Sequence, residues 1–238
     1  PSLMHEPDVI QKISEKTGAV IGSSFYAFTL QIFLNVIDAL LEDNPESDVL
    51  LSKKAAYSDR LKKVKTAVRE CYLSEDGFIE NDLQSLYVMV LKAKITEGAL
   101  QEKVAKRLDL LIRNHQNRLD VGLVTAPYLL DVLMDNGYEE TARKLLFQDK
   151  SPSWLYFVEN NATTLWENWE AIRPDRTVTT SSFNHHALCS VGDFIYRRIG
   201  GIQPGKPGYR QIRFNPDLYC GLHAASTSLQ TSYGKVSC

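Results

Sequence analysis

The feature that most constrains this chain is a regular alternation between two kinds of helical segment. Residues 24–41 place Phe25, Phe28, Ile32, Phe33, Val36, Ile37 and Leu40 on one helical face, yet Tyr26, Ala27, Leu30 and Leu34 make the other side apolar as well. A helix that is apolar nearly all round is expected to be buried. Residues 52–73 are different: Tyr57, Leu61, Val64, Val68 and Cys71 form one stripe among Lys, Arg, Asp and Glu, which predicts a solvated outer face. The pattern then repeats. Residues 82–95 and 125–134 are apolar round most of the circumference, whereas 99–114 and 138–147 carry single stripes. Residues 183–199 complete the series with Phe183, Ala187, Leu188, Val191, Phe194, Ile195 and Ile199 on the apolar side.

Buried and amphipathic helices in strict order predict helical hairpins, each with one inner and one outer helix, stacked in a solenoid or closed in an α/α toroid. No repeat of fixed period is visible, which argues against short-repeat arrays. A toroid of six hairpins needs roughly twice as many helices, so the chain would supply about half of one. Thr125 is the expected cap of the 125–134 helix, with Pro127 in its first turn and Gly137 after its end. Ser181 or Ser182 is expected to cap 183–199, with Gly200-Gly201 ending it. From Gln203 the texture changes. Gln203 to Gly208 reads as a turn or linker, and Tyr209–Phe214, Leu222–Leu229 and Lys235–Cys238 read as short strands, with Tyr233-Gly234 as a turn. The expected division is 1–202, mainly α, and 203–238, a β segment. Three short strands bury too little to stand alone and should join a larger sheet or pack on the helices.

Composition excludes little but is consistent. A net charge of −2, with no basic stripe, offers nothing to nucleic acid. No uninterrupted apolar run reaches the ~18 residues of a membrane span. Cys71, Cys189, Cys220 and Cys238 lack metal-ligand spacing and are expected to be free thiols, with Cys71 and Cys189 on apolar helix faces as small buried hydrophobes. No metal or cofactor constellation is visible. The opening Pro-Ser-Leu-Met shows neither an initiator Met nor a signal peptide, so the compartment stays hidden.

Residues 151–186 stand apart. Trp154, Trp166 and Trp169, the three tryptophans of the chain, lie there with Glu159, Glu167, Glu170, His185 and His186. Much of this stretch reads as loop, where binding residues concentrate. Aromatic faces flanked by carboxylates suit a sugar; a core indole cluster with solvated acids gives the same composition.

The order of residues adds a resemblance. Ala162-Thr163-Thr164-Leu165-Trp166-Glu167-Asn168-Trp169 resembles the "ATTxWExW" string of bacterial α-L-rhamnosidases, glycoside hydrolase family 78. Pro152-Ser153-Trp154-Leu155-Tyr156 is similar to that family's "PSWLY", Ser182-Phe183-Asn184-His185 to its "SFNH", and Thr125-Ala126-Pro127-Tyr128-Leu129-Leu130 to one of its inner helices. Pro207-Gly208-Tyr209 and Tyr233-Gly234-Lys235 resemble the passage into its C-terminal β-domain. The resemblance implies half of an (α/α)6 barrel followed by the start of a β-sandwich. It implies hydrolysis of terminal α-L-rhamnosyl residues with inversion, a reaction that needs two carboxyl groups roughly 6.5–9.5 Å apart. By resemblance Glu167 is the general base, His185 touches the bound sugar, and Trp154, Trp166 and Trp169 line the pocket. Glu167 is then expected at the concave end of the helical array, with Trp166 and Trp169 pointing to different sides of its loop. His186, about 100° from His185 on a helix, is expected to be structural.

The family's general acid lies in a "DCPQRDERLGW"-like motif that this chain lacks; Asp76-Gly77 is better read as a turn. The chain therefore reads as a fragment, a split polypeptide or a degenerate relative, with a rhamnoside as its small-molecule partner and the missing half of the domain, or a second copy, as its protein partner. The alternatives from other classes are a carbohydrate-binding remnant that holds rhamnose without cleaving it and a helical scaffold that binds a peptide.

Overall fold

The computed structural model describes the backbone of residues 7–238 and side chains from Gln11 onward. The described chain forms two compact units, one running to Ala142 and the other from Arg143 to Cys238.

The first unit is built from α1 (Pro7–Asp43), α2 (Asp48–Tyr72), α3 (Gln84–Lys92), α4 (Gly98–Asn114) and α5 (Ala126–Asp135); α6 (Glu139–Leu146) spans the boundary between units. The inner helices are more buried than the outer ones. In α3, Leu86, Tyr87, Val88, Met89 and Val90 have no exposed surface, and α5 buries Ala126, Leu129, Leu130, Val132 and Leu133. In contrast α2 buries Val68 alone, and α4 buries one stripe of Val104, Ala105, Leu108, Asp109 and Ile112. The Asp109 carboxylate in that stripe is satisfied by the Thr141 hydroxyl at 2.5 Å and the Arg113 guanidinium at 2.7 Å, as a buried charge requires.

Helix α1 departs from the expectation. Thr17, Val20, Ser24, Ala27, Leu30 and Ile37 are buried, in the i, i+3, i+4 rhythm of one face. Phe25, Tyr26, Ile32, Val36 and Leu40, expected inside, are exposed, Val36 by 49%. One face meets α2 and α3; on the opposite side Tyr26 accepts a hydrogen bond from Arg60 of α2 at 3.5 Å, while Phe25, Ile32, Val36 and Leu40 stay exposed. The same apolarity makes Gln11–Asp43 long and apolar enough to cross a bilayer by length and composition. Its contacts are with helices, however: Phe33 meets Tyr57 edge-on at 4.8 Å, and the Gln31 amide donates to the Ala93 carbonyl at 2.5 Å.

The connections into α3 and α5 are pinned by polar side chains. Gln84 donates to the Arg118 carbonyl at 3.2 Å and accepts from the Asp120 N–H at 3.0 Å. The Tyr87 hydroxyl donates to Asp82 at 2.6 Å and accepts the Ile79 N–H at 3.1 Å, and Arg107 grips both Asp82 oxygens. Burial raises the Asp82 pKa, but the hydrogen bonds from Arg107 and Tyr87 outweigh it and hold the carboxyl below its usual range. Ser74 to Phe78 is a turn, as expected for Asp76-Gly77. Thr125 stands at the cap position of α5, but its hydroxyl bonds Gly122 O and Ser85 rather than the helix.

In the second unit α7 (Trp154–Glu159) is capped by the Ser153 hydroxyl, which accepts the Tyr156 N–H at 3.1 Å. The expected 183–199 helix starts four residues late. It is a 3₁₀ turn, Ala187–Ser190, then α8 (Val191–Phe194) and a π turn, Ile195–Ile199. Neither Ser181 nor Ser182 caps it. Two hairpins follow: β1 (Ile202–Pro204) pairs antiparallel with β2 (Ile212–Phe214), and β3 (Ser228–Thr231) with β4 (Gly234–Ser237). Residues 222–227 are not strand, and Ile202–Pro204, read as linker in part, is. Gly201 has φ +74°, and a Cβ there would stand 2.4 Å from the Pro216 nitrogen, so no larger residue fits. The cysteines are free thiols, but Cys71 and Cys189 are exposed rather than buried, and Cys220 is the buried one.

Candidate active site

The candidate site lies wholly in the second unit, on two segments that run alongside each other. Leu165 O accepts the His185 N–H at 2.9 Å. The Glu167 N–H donates to Ser182 O at 2.9 Å, and the Ser182 N–H donates back to Glu167 Oε2 at 2.9 Å. The Thr164 hydroxyl donates to Phe183 O. The "ATTLWENW" and "SFNH" strings are thus joined, with Glu167 exposed and His185 half-buried on the two paired segments. Glu167 is exposed, and neither Arg173 nor Arg176 forms an ion pair with it. Arg176 instead donates to Asn160 at 2.8 Å.

The residues 182–185 use their backbone groups across to 164–167, and this keeps them out of a helix. His185 and His186 therefore lie in a loop instead of about 100° apart on a helix, and their rings stack with centroids 4.9 Å apart at 19°. His185 Nδ1 accepts the Ala187 N–H at 3.3 Å, which in the neutral ring puts the proton on Nε2.

The three tryptophans form an aromatic core beneath the paired segments. Trp154 meets Trp169 edge-on at 5.3 Å, and Phe157 packs against Trp166 at 4.8 Å and Trp169 at 5.8 Å. All are 5% exposed or less, and the Trp154 indole N–H donates to Leu188 O at 3.2 Å. Trp166 and Trp169 thus converge on one side chain instead of pointing to different sides of the loop. Phe157, the hub of the cluster, was passed over in the sequence because a Phe on a short apolar helix carries no distinguishing signal. Phe183 closes the cluster edge-on to Trp166 at 5.4 Å.

The remaining acids have local tasks. Glu170 accepts the Ser151 hydroxyl at 2.8 Å. Asp175 accepts both the hydroxyl and the N–H of Thr177, and these bonds lower its pKa while they close a tight turn at 173–177. Among the described residues no three His, Cys, Asp or Glu side chains gather as a metal site.

Comparison with known proteins gives this arrangement a context. Residues 6–199 match the bacterial alpha-L-rhamnosidase six-hairpin glycosidase domain, and residues 201–238 match the bacterial alpha-L-rhamnosidase C-terminal domain. An alpha-L-rhamnosidase of Streptomyces avermitilis is 38% identical over 221 residues, which is 92% of this chain and 20% of that protein. The crystal structure of a Streptomyces avermitilis alpha-L-rhamnosidase complexed with L-rhamnose superposes with a TM-score of 0.83 at 32% identity, over 92% of this chain and 20% of that one. The native rhamnosidase of Aspergillus terreus also gives 0.83, at 26% identity over 90% of this chain and 24% of that one. The chain spans about a fifth of the length of the curated relatives it matches. With its helical hairpins read as part of an α/α toroid, this chain belongs to the bacterial alpha-L-rhamnosidase six-hairpin glycosidase family.

Proposed function

We propose that the chain supplies the general-base half of an inverting α-L-rhamnosidase site, with Glu167 as the base. One observation carries the reading: the Glu167 carboxylate is exposed, tied by one oxygen to the Ser182 N–H at 2.9 Å, and forms no ion pair with Arg173 or Arg176. Oε2 is thereby anchored and Oε1 has no hydrogen-bond partner among the described residues, so it is the oxygen to hold a water. The reaction runs in one displacement. As the water attacks the anomeric carbon, its proton passes to Glu167 Oε1, the glycosidic C–O bond breaks, and the leaving oxygen takes a proton from an acid outside this chain. His185, its Nδ1 occupied by Ala187, turns a donor Nε2–H to a sugar hydroxyl oxygen. The tryptophans serve this site as the rigid layer beneath the paired segments. The catalytic-domain segment is 1–202, and 203–238 opens the C-terminal β-sandwich; the junction of the two family matches between 199 and 201 supports that division.

Glu167→Gln keeps the shape and removes the basicity. In the intact gene product, the expected result is loss of kcat on an aryl α-L-rhamnoside with L-rhamnose binding and Tm retained. Wild-type turnover in the folded variant ends the assignment, and a lowered Tm with normal activity per folded molecule makes Glu167 structural. The missing acid motif favours a second reading for the chain alone, rhamnose held but not cleaved. Calorimetric binding of L-rhamnose without turnover separates that from a helical scaffold, which binds no sugar.

A further inference from the structure

The segment that carries Glu167 has little regular structure of its own. Between α7, ending at Glu159, and the 3₁₀ turn at Ala187, there is no helix or strand, and the β-type pairing is one isolated bridge, Ile172 to Val178. The place of a side chain in such a segment is set by its cross-links. Residues 164–167 have four to residues 182–185: Leu165 O to the His185 N–H, Glu167 N–H to Ser182 O, Glu167 Oε2 to the Ser182 N–H, and the Thr164 hydroxyl to Phe183 O. Two are purely main-chain, and one uses the Glu167 carboxylate itself. The Thr164 bond is the one made by a side chain without a role in the chemistry. Its acceptor is well fixed, because the Phe183 ring packs edge-on against the buried Trp166.

We infer that Thr164 is a positioning residue for the proposed base: its hydroxyl, by donating to Phe183 O, holds the register in which Glu167 and His185 face one substrate. The inference rests on the reading of Glu167 as base. Without the hydroxyl the two segments are free to shift, and the carboxylate loses its alignment with the attacking water. A misplacement of about 1 Å costs up to about a hundredfold in rate. The remaining three cross-links limit the slip, so a smaller loss is expected. Thr164 is exposed, so removing its hydroxyl strands no buried polar group and stability should hold.

The test compares Thr164→Val, Thr164→Ser and Glu167→Gln in the intact gene product, with kcat and KM on an aryl α-L-rhamnoside and Tm for each. Thr164→Val should lower kcat about tenfold with KM and Tm unchanged, and Thr164→Ser, which keeps the donor, should restore it. Wild-type kcat in Thr164→Val with an inactive Glu167→Gln overturns the role of Thr164 and leaves the base reading standing. Wild-type turnover in Glu167→Gln overturns both. A fall in kcat and Tm together, not rescued by Ser, makes Thr164 merely structural and also overturns the inference.

Discussion

Arg143 and Asp217, 74 residues apart, meet as a two-pronged pair: Nε and Nη2 of the guanidinium each stand 2.8 Å from a different carboxylate oxygen. The aspartate is also held through its backbone, whose N–H donates to Arg198 O at 2.8 Å. Burial acts to raise its pKa, and the bonds from Arg143 and the Tyr219 N–H more than reverse this, so the carboxyl sits below its usual range.

That depression has a pH consequence. A carboxylate with a lower pKa folded than unfolded contributes stability that is complete above its unfolded pKa, about 3.9, and is lost as pH falls through the folded value. Asp82 contributes in the same direction. Denaturation of the wild type should therefore show stability falling below about pH 4, and Asp217→Asn should flatten that fall while costing about 2 kcal/mol at neutral pH. An unchanged acid limb in the variant refutes the account.

The inner and outer helices should differ in tolerance. Leu86 on α3 is fully buried, and Leu86→Ala should cost about 2–5 kcal/mol. Leu51 on α2 is 44% exposed, and Leu51→Ala should stay within about 0.5 kcal/mol. Urea titrations of both variants decide this, and equal losses would contradict the hairpin arrangement.

The open apolar face of α1 should make the chain associate when it is produced alone. Sedimentation velocity is expected to show self-association that Ile32→Lys with Val36→Lys suppresses, since both side chains lie on that face. A monomeric wild type at high micromolar concentration would rule this out.

Turnover by the chain alone should be negligible. Loss of leaving-group protonation removes about 10²–10⁴-fold in rate, and the acid motif is absent. Robust release of an aryl leaving group by the purified chain would mean that an acid within it has been overlooked.

Hydrophobic periodicity alone was enough to identify α3 as an inner helix and α2 as an outer one, because burial of a whole circumference or of one stripe is written in residue spacing. The turn at Asp76-Gly77 followed from local preference, and Glu167 and His185 came in as candidates through the resemblance alone. Where neighbours decide, periodicity was blind. α1 is as apolar as α3, yet Phe25, Ile32 and Val36 lie open, since a stripe does not say whether anything covers it. The apolar rhythm from Phe183 predicted a helix that begins only at Ala187, because Ser182, Phe183 and His185 spend backbone groups on the segment carrying Glu167. The tryptophans were equally suited to a sugar platform or a core. Their packing with Phe157 was decided by tertiary structure, because an indole's partners are chosen by chain segments that sequence order does not bring together.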